Sequence, residues 1–248
     1  MDELPLPAAV LAAAGDRRGG ASEVAAVAVD GLLELAGDRA RLDEAVAVLL
    51  AGQPAMAPMW HLAHAAAASD PQQALRELRR LLDAEADAAV AAAVRWLAAR
   101  PGPVRTVSHS SLVDRVLASL GGPDADASLT GGLPLGSSRP PTTGVGASLS
   151  SPPDPPATGG LPLGSGLVGA DAIGPSALLN AAGTGTLAAQ VPTLVVTTSL
   201  KLVPAGAFDR LAAPGFEAVP LSSLAAVALG GELLEPAEAG RRAAALGD

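Results

Sequence analysis

The stretch that most constrains the fold is residues 166–201, where two short apolar runs flank an alanine-rich segment. The runs, 167–173 and 193–198, are rich in Val, Leu and Thr, and the segment between them contains the sequence Gly-Thr-Gly-Thr. The pattern predicts a strand, a glycine-bearing turn, a helix and a second strand. A crossover of this length joins parallel strands, and α/β proteins bind ligands at the carboxyl ends of such strands. We therefore predict a binding edge at 171–186 and 197–201.

Composition argues against several classes of function. The formal net charge is -9 and the sixteen basic residues are scattered, so direct nucleic-acid binding through a basic face is not expected. The sequence has no cysteine, which excludes disulfides, thiolate metal sites and a cysteine nucleophile. Aromatic residues make up only 2% of the chain, so its helices must pack through small side chains.

Two windows, 45–69 and 172–200, are long enough and uncharged enough to span a membrane. Both are mostly alanine, however, and both are interrupted by Pro, Gly and polar residues. The chain also starts with acidic residues, the reverse of a secretory signal. We therefore expect a cytoplasmic protein without a membrane-spanning segment.

Residues 1–100 read as a helical domain. Helical spacing of apolar residues recurs four times, and in the last case Asp70 and Pro71 stand at the cap and first helical positions. The four predicted helices are 22–36, 38–50, 54–69 and 70 to about 99.

Residues 101–248 read as a Rossmann-like domain with a parallel sheet. It opens with a strand at 104–107, a serine-rich turn and a helix at 112–120. Further along, 216–220 reads as a last edge strand and 235–246 as a short helix. The predicted fold class is thus α/β, with a helical N-terminal domain followed by a Rossmann-like domain.

The interval 121–166 departs from this pattern. Of its 46 residues, 20 are Gly or Pro and four are charged, and it repeats the octapeptide TGGLPLGS at 130–137 and 158–165. This composition is typical of a flexible linker or loop. We predict an insert that weakens the sheet.

Several motifs in order resemble the translation initiation factor 2B alpha/beta/delta family, which is related to methylthioribose-1-phosphate and ribose-1,5-bisphosphate isomerases. The resemblance is carried by Gly-Ala-Asp ending at Asp171, by Asn180, by Gly183-Thr184 and by Ser-Leu-Lys ending at Lys201. It extends to Arg-Gly-Gly-Ala-Ser-Glu at 18–23, to Pro-Ala-Met-Ala-Pro at 54–58 and to Ser108-His109-Ser110. The resemblance implies a homodimer that binds a phosphorylated sugar or nucleoside monophosphate and that needs no cofactor.

Phosphate contacts are predicted at the turn after the first strand of the second domain. Ser108, His109 and Ser110 precede a helix whose free backbone N–H groups form a positive end suited to phosphate. The alternative is that the serines only cap this helix.

A second phosphate contact is predicted at Arg17 or Arg18, and we favour Arg18. The guanidinium can hold a phosphate by two hydrogen bonds, while Gly19 and Gly20 let the backbone approach it. The alternative is a pair of solvated charges in a loop.

The binding edge itself offers four kinds of polar contact. Asp171 follows a strand and can accept hydrogen bonds from sugar hydroxyls or act as a base, although it can also cap a turn. The resemblance implies that Asn180, Gly183 and Thr184 contact the ligand. Lys201 can approach a phosphate from the next strand, although an exposed lysine is usually only a solvated charge.

Catalysis is not expected from these residues. The resemblance implies that the related isomerases use a cysteine and an aspartate, but the chain has no cysteine, and no acid stands at 174–179, where the resemblance implies one. The favoured prediction is therefore a non-catalytic regulatory or assembly subunit. The alternatives are an aldose-ketose isomerase acting on a ribose phosphate through His109 and Asp171, and a scaffold without a ligand. His61 and His64 have a metal-binding spacing but no clear third ligand, so we predict no metal site.

Overall fold

The first part of the molecule is a bundle of helices. The computed structural model describes residues 5–107, 110–121, 164–211 and 214–247. The four helices predicted before residue 100 are confirmed, with small shifts at their ends, and another helix precedes them. The helices are α1 (Ala8–Gly15), α2 (Ala21–Glu34), α3 (Arg39–Gly52), α4 (Ala57–Ala67) and α5 (Pro71–Ala98).

The helix boundaries follow from local chemistry. The side chain of Asp38 accepts a hydrogen bond from the backbone N–H of Arg41 at the start of α3. The predicted cap at Asp70 is confirmed, because its carboxylate accepts from the backbone N–H of Gln73, at 3.0 Å. Each cap satisfies an N–H group that has no partner within its helix.

The second part is built on a five-stranded sheet. Its strands in spatial order are β1 (Val104–Arg105), β2 (Ser165–Val168), β5 (Thr193–Thr197), β7 (Ala226–Leu229) and β8 (Glu232–Leu234). The first four are parallel and β8 pairs antiparallel with β7. The predicted parallel pairing of the strands around 167 and 194 is confirmed by the register of Leu167 opposite Leu194. The α/β fold class is therefore confirmed, with a mostly parallel sheet.

Helices cover both faces of this sheet. One face packs against α5 and α6 (Ser111–Ser119), and the other packs against α7 (Thr184–Gln190) and α9 (Pro236–Ala244). Side chains of β5 alternate between these layers, since Leu194 and Val196 contact the first and Val195 contacts the second. Burial on both faces explains why the strands read as continuous apolar runs.

A second, antiparallel sheet was not predicted. It contains β3 (Ala172–Ile173), β4 (Ala177–Ala181) and β6 (Phe216–Pro220). The prediction of one strand over 167–173 was therefore wrong, because the chain leaves the main sheet after Val168 and re-enters the second sheet at Ala172. The edge strand predicted at 216–220 is confirmed as β6, and it lies at the edge of the second sheet, where it pairs with β4 over five residues.

The predicted insert falls mostly outside the described residues, which resume at Gly164. Its predicted end was two residues too late, because Ser165 and Gly166 begin β2. The helix predicted at 112–120 is confirmed as α6 and the C-terminal helix as α9, while α8 (Ala205–Phe208) is a single turn. In the described parts of the chain, no helix is long and apolar enough to cross a membrane.

Candidate ligand-binding cavity

A cavity of about 680 Å³ lies between the helical part and the carboxyl ends of β2 and β5. Segments distant in sequence contribute to its wall: the loop before α2, the loop between α3 and α4, the start of α6, the segment after β2, the end of β4, the end of β5 and the start of β6. Its position agrees with the general rule for ligand sites in parallel α/β sheets. Six of the predicted ligand residues line it, namely Gly19, Gly20, Ser110, Asp171, Asn180 and Lys201.

The loop before α2 is held in shape by its own hydrogen bonds. The Asp16 carboxylate accepts from the backbone N–H groups of Arg18 and Gly19, at 2.7 and 2.9 Å, and these bonds lower the pKa of Asp16. A Cβ atom at Gly19 would lie 2.6 Å from Asp16 Oδ2, so a larger residue would displace the Asp16 carboxylate from this loop. Arg17 lines the cavity, whereas Arg18, the favoured prediction, is absent from the wall.

A buried glutamine fixes this loop to the helical bundle. Gln53 is 5% exposed, and its amide nitrogen donates to the carbonyl oxygens of Ala13 and Asp16, both at 2.7 Å. Sequence reasoning missed Gln53, because only the folded chain brings its amide to carbonyls some forty residues earlier. Its role is to position the glycine loop beside the cavity.

The amino end of α6 faces the same space. Ser110 occupies the cap position, but its side chain makes no capping hydrogen bond within the described residues. A Cβ atom at Gly169 would lie 2.9 Å from Ser110 Oγ, and one at Gly20 would lie 3.8 Å from the Ser111 nitrogen. Gly169 thus lets the end of β2 approach the start of α6, while the loop before α2 lies in ordinary contact with it. Ser108 and His109, also predicted here, lie outside the described residues.

The Lys201 side chain is the most unusual feature of the cavity. Lys201 is 4% exposed, in the 3-10 turn Ser199–Lys201 after β5. Among the described residues, its ammonium group has no hydrogen-bond acceptor and no carboxylate oxygen within 4 Å. Burial lowers the pKa of Lys201 to about 8, although the charge of Asp171 opposes this shift. The alternative that Lys201 is only a solvated surface charge is therefore excluded, because its side chain is buried.

Asp171 follows β2 at the start of the second sheet. Its backbone carbonyl accepts from Ala57 at 3.1 Å and its backbone N–H donates to Leu179, which ties it to α4 and to β4. Burial raises the pKa of the Asp171 carboxyl, and the positive charge of Lys201 partly counteracts the rise. The two side chains therefore form an electrostatically coupled acid and base without a direct ion pair.

The predicted ligand contacts at 180–184 do not all lie in the cavity wall. The Asn180 amide donates to Thr184 Oγ at 3.0 Å, and Thr184 Oγ donates to the Ala181 carbonyl at 2.7 Å. Gly183 has a φ of 101°, which favours glycine at the start of α7. Gly183 and Thr184 are absent from the cavity wall, and Thr184 instead orients Asn180, which is part of it.

The amino end of α7 is already occupied by a protein carboxylate. Glu217 in β6 accepts a hydrogen bond from the backbone N–H of Gly185 at 2.8 Å. A negative side chain at this position stabilises the helix end. A ligand phosphate is therefore more favourably placed at the start of α6 than at the start of α7.

The two histidines in α4 contact a backbone carbonyl and a tryptophan ring. His61 Nε2 lies 2.8 Å from the Leu202 carbonyl oxygen, and burial lowers the pKa of His61. The ring of His64 packs against Trp60 at an interplanar angle of 40°, with ring centres 3.8 Å apart. His61 therefore connects α4 to the segment that carries Lys201.

Replacing Thr184 with valine should destabilise the protein by about 1–2 kcal/mol, because a buried amide loses its acceptor and a buried carbonyl loses its donor. Chemical denaturation measures this change. Thr186→Val in the same helix is the matched control, since Thr186 is exposed and should change the free energy of unfolding by less than about 0.5 kcal/mol. Equal effects of the two substitutions would contradict the structural role of Thr184.

Comparison of the sequence with protein-family models and with curated proteins finds no match. Among solved structures, the fold is similar to translation initiation factor eIF-2B of Pyrococcus horikoshii OT3, with a TM-score of 0.63, 16% identity, and coverage of 94% of this chain and 99% of that chain. It is similar to the tetrameric eIF2B-beta2-delta2 complex from C. thermophilum, with a TM-score of 0.62, 14% identity, and coverage of 94% and 91%. It is also similar to eIF2B beta from Chaetomium thermophilum, with a TM-score of 0.59, 14% identity, and coverage of 95% and 88%. The fold that the sequence motifs led us to expect is confirmed.

Proposed function

We propose that this chain, which has the fold of translation initiation factor 2B subunits, binds a phosphorylated sugar or nucleotide and acts as a regulatory or assembly subunit. The observation that carries the proposal is the buried Lys201 ammonium at the cavity wall, which has no anionic partner within 4 Å among the described residues. Burial disfavours the charged form of Lys201 more than the charge of Asp171 favours it, and an anionic ligand in this cavity would offset that cost.

The phosphate group is best accommodated at the start of α6. Backbone N–H groups there lack partners within the helix, and the Ser110 hydroxyl makes no capping bond among the described residues. The loop with Gly19 and Gly20 lies alongside and adds a close backbone approach. Arg17 lies on the same wall and adds positive charge.

The sugar is best accommodated at Asp171, Asn180 and Lys201. These side chains lie at the ends of β2, β4 and β5 and offer both donors and acceptors for hydroxyl groups. The remaining wall includes the apolar residues Met56, Val107 and Phe216. A ligand with one charged end and a less polar body fits this distribution.

A thermal-unfolding assay with ribose 5-phosphate, ribitol 5-phosphate and nucleoside monophosphates tests the proposal. At a concentration of 100 times the dissociation constant, a ligand should stabilise the protein by about 2.7 kcal/mol. Ser110→Ala should weaken the effect of phosphorylated ligands, whereas Ser119→Ala, on the exposed far end of α6, should leave it unchanged. If no compound on this panel changes the melting temperature, the proposed ligand class is wrong.

The affinity for ribitol 5-phosphate should depend on pH in two directions. It should rise as the phosphate acquires its second charge near pH 6 and fall above about pH 8 as Lys201 loses its proton. Isothermal titration calorimetry between pH 5.5 and about 9.5 measures this profile, and the Lys201→Met variant should lack the decline at high pH. An affinity that stays constant from pH 7 to about 9.5 would contradict a role for protonated Lys201.

The second candidate is an aldose-ketose isomerase. It is favoured by one observation, namely that burial raises the pKa of Asp171 beside a lysine whose pKa is lowered to about 8. Such a pair suits proton transfer near neutral pH. Turnover of ribose 1,5-bisphosphate that disappears in Asp171→Asn would establish this function and refute the non-catalytic one.

The proposed assembly is a homodimer. One of the solved structures with this fold is described as a tetrameric complex, which supports association as part of the function. Light scattering on the purified protein, with and without ribose 5-phosphate, would give the mass directly. A monomer under both conditions would remove the assembly part of the proposal.

A further inference from the structure

Lys201 is the only lysine in the sequence. The chain has sixteen basic residues, and the other fifteen are arginines. Arginine keeps its charge in proteins, whereas lysine can lose a proton and become a nucleophile. A chain that uses arginine everywhere else thus has its single primary side-chain amine in the wall of the cavity.

The placement of this amine suits a reaction with a ligand. Lys201 is almost completely buried and is part of the cavity wall. Val196 and Thr197 of β5 form the neighbouring wall, and no described residue accepts a hydrogen bond from the Lys201 nitrogen. An amine without a salt-bridge partner keeps its lone pair available once it is deprotonated.

The charged groups around Lys201 are few. Asp171 interacts with it electrostatically, and Asp16 and Arg17 lie on the cavity wall in the loop before α2. From the helices packed alongside, His61 of α4 is bonded to the Leu202 carbonyl and Glu85 of α5 accepts from the Ser199 hydroxyl and N–H. With a pKa of about 8, roughly one tenth of Lys201 is neutral at pH 7, compared with less than about one part in a thousand for an ordinary lysine.

We propose that Lys201 forms an imine with the aldehyde carbon of an open-chain phosphorylated aldose bound in this cavity. The inference rests on the proposed function, because the phosphate must be held for the aldehyde to reach the amine. It makes the attachment of the ligand covalent and reversible, and it assigns Lys201 a chemical role.

The reaction balances without an oxidant or reductant. The neutral Lys201 nitrogen adds to the aldehyde carbon, a C–N bond forms, and the carbonyl oxygen takes up a proton as the nitrogen loses one. Asp171 in its protonated form then donates a proton to the resulting hydroxyl, which leaves as water while the nitrogen lone pair forms the C=N bond. The iminium returns a proton to Asp171, and addition of water reverses the sequence.

Reductive trapping tests the proposal. The full chain is incubated with D-glyceraldehyde 3-phosphate or ribose 5-phosphate and sodium cyanoborohydride, which supplies the hydride that reduces the imine to a stable secondary amine. We expect one adduct per chain by intact mass, located on Lys201 by peptide mapping. Because the N-terminal amine competes, the Lys201→Met variant, which retains that amine, measures the background.

Asp171→Asn tests the proton donor. The asparagine variant should form the adduct about 100-fold more slowly, a loss typical of removing a general acid. In wild-type protein the trapping rate should increase between pH 6 and about 8 as Lys201 becomes neutral. A wild-type rate that does not change over this range would contradict Lys201 as the nucleophile.

Ribitol 5-phosphate separates this proposal from the proposed function, because it has the phosphate but no carbonyl group. If ribitol 5-phosphate stabilises the protein and the aldehydes leave no adduct on Lys201, the imine is refuted and phosphate binding stands. An adduct on Lys201 that forms equally fast with unphosphorylated glyceraldehyde refutes phosphate recognition, and it also refutes the imine as proposed, which requires a held phosphate. No stabilisation and no adduct refute both, and adducts found only at the N-terminus refute the imine.

Discussion

Replacing Lys201 with methionine is expected to stabilise the ligand-free protein and to weaken its response to phosphorylated ligands. Burial shifts the pKa of Lys201 from 10.5 to about 8, which corresponds to a cost of about 3 kcal/mol for keeping it charged at pH 7. Methionine has a similar length and no charge, so the free energy of unfolding should rise by up to about 3 kcal/mol. Urea denaturation, with and without ribitol 5-phosphate, measures both effects.

The pH dependence gives an independent signature of the same side chain. Between pH 8 and about 10.5 the unfolded chain retains the lysine proton while the folded chain has released it, so stability rises with pH over this window. Lys201→Met should lose this rise. Arg210→Met, which removes an exposed cation, is the control and should change stability by less than about 0.5 kcal/mol. If Lys201→Met destabilises the ligand-free protein instead, the buried charge of Lys201 does not lower the free energy of unfolding as we expect.

Replacing Gly240 with alanine is expected to destabilise the protein by about 3 kcal/mol, although alanine is the better helix former. Gly240 is buried in α9, and a Cβ atom there would lie 2.2 Å from the carbonyl oxygen of Pro175. Because the Pro175 carbonyl belongs to the backbone of the turn between β3 and β4, it cannot rotate away as a side chain would. The helix must move from the second sheet, and the melting temperature should fall by roughly 6–12 °C.

Gly185→Ala is the matched control for this substitution. Gly185 also lies in a helix, but its nearest neighbour would be 3.6 Å from an added Cβ atom, an ordinary contact. The control should be neutral or slightly stabilising, by up to about 1 kcal/mol. If both alanine variants are equally stable, the close packing of α9 against the turn does not require glycine at position 240.

The secondary structure could be predicted where a local signal was strong. Asp70 followed by Pro71 marks a helix start that depends only on neighbouring residues, and α5 begins there. The parallel pairing of β2 and β5 followed from two apolar runs separated by a crossover. The hairpin of β3 and β4 could not be predicted in this way, because its pairing partner β6 lies 35 residues after Ala181 in the sequence.

The candidate site was predicted in part. Asp171 and Lys201 were identified because both stand at the predicted ends of parallel strands. No sequence pattern identifies Gln53, because its structural role depends on hydrogen bonds to Ala13 and Asp16 that exist only in the folded chain. Lysine count would have singled out Lys201 more strongly than its motif, because a sole lysine can be read directly from the sequence.

The sequence by itself determined the α/β class and the strand ends of 166–201 at which a ligand could bind, because apolar periodicity and crossover length are local properties. Tertiary structure alone decided how the residues of that edge divide their roles. Lys201 became a buried amine facing a cavity, while Thr184 became a partner for Asn180. The physical reason is that burial, pKa and hydrogen bonding depend on which residues are neighbours in space. The neighbours of this edge come from α3, α4, α5 and α6, all of which precede residue 166 in the sequence.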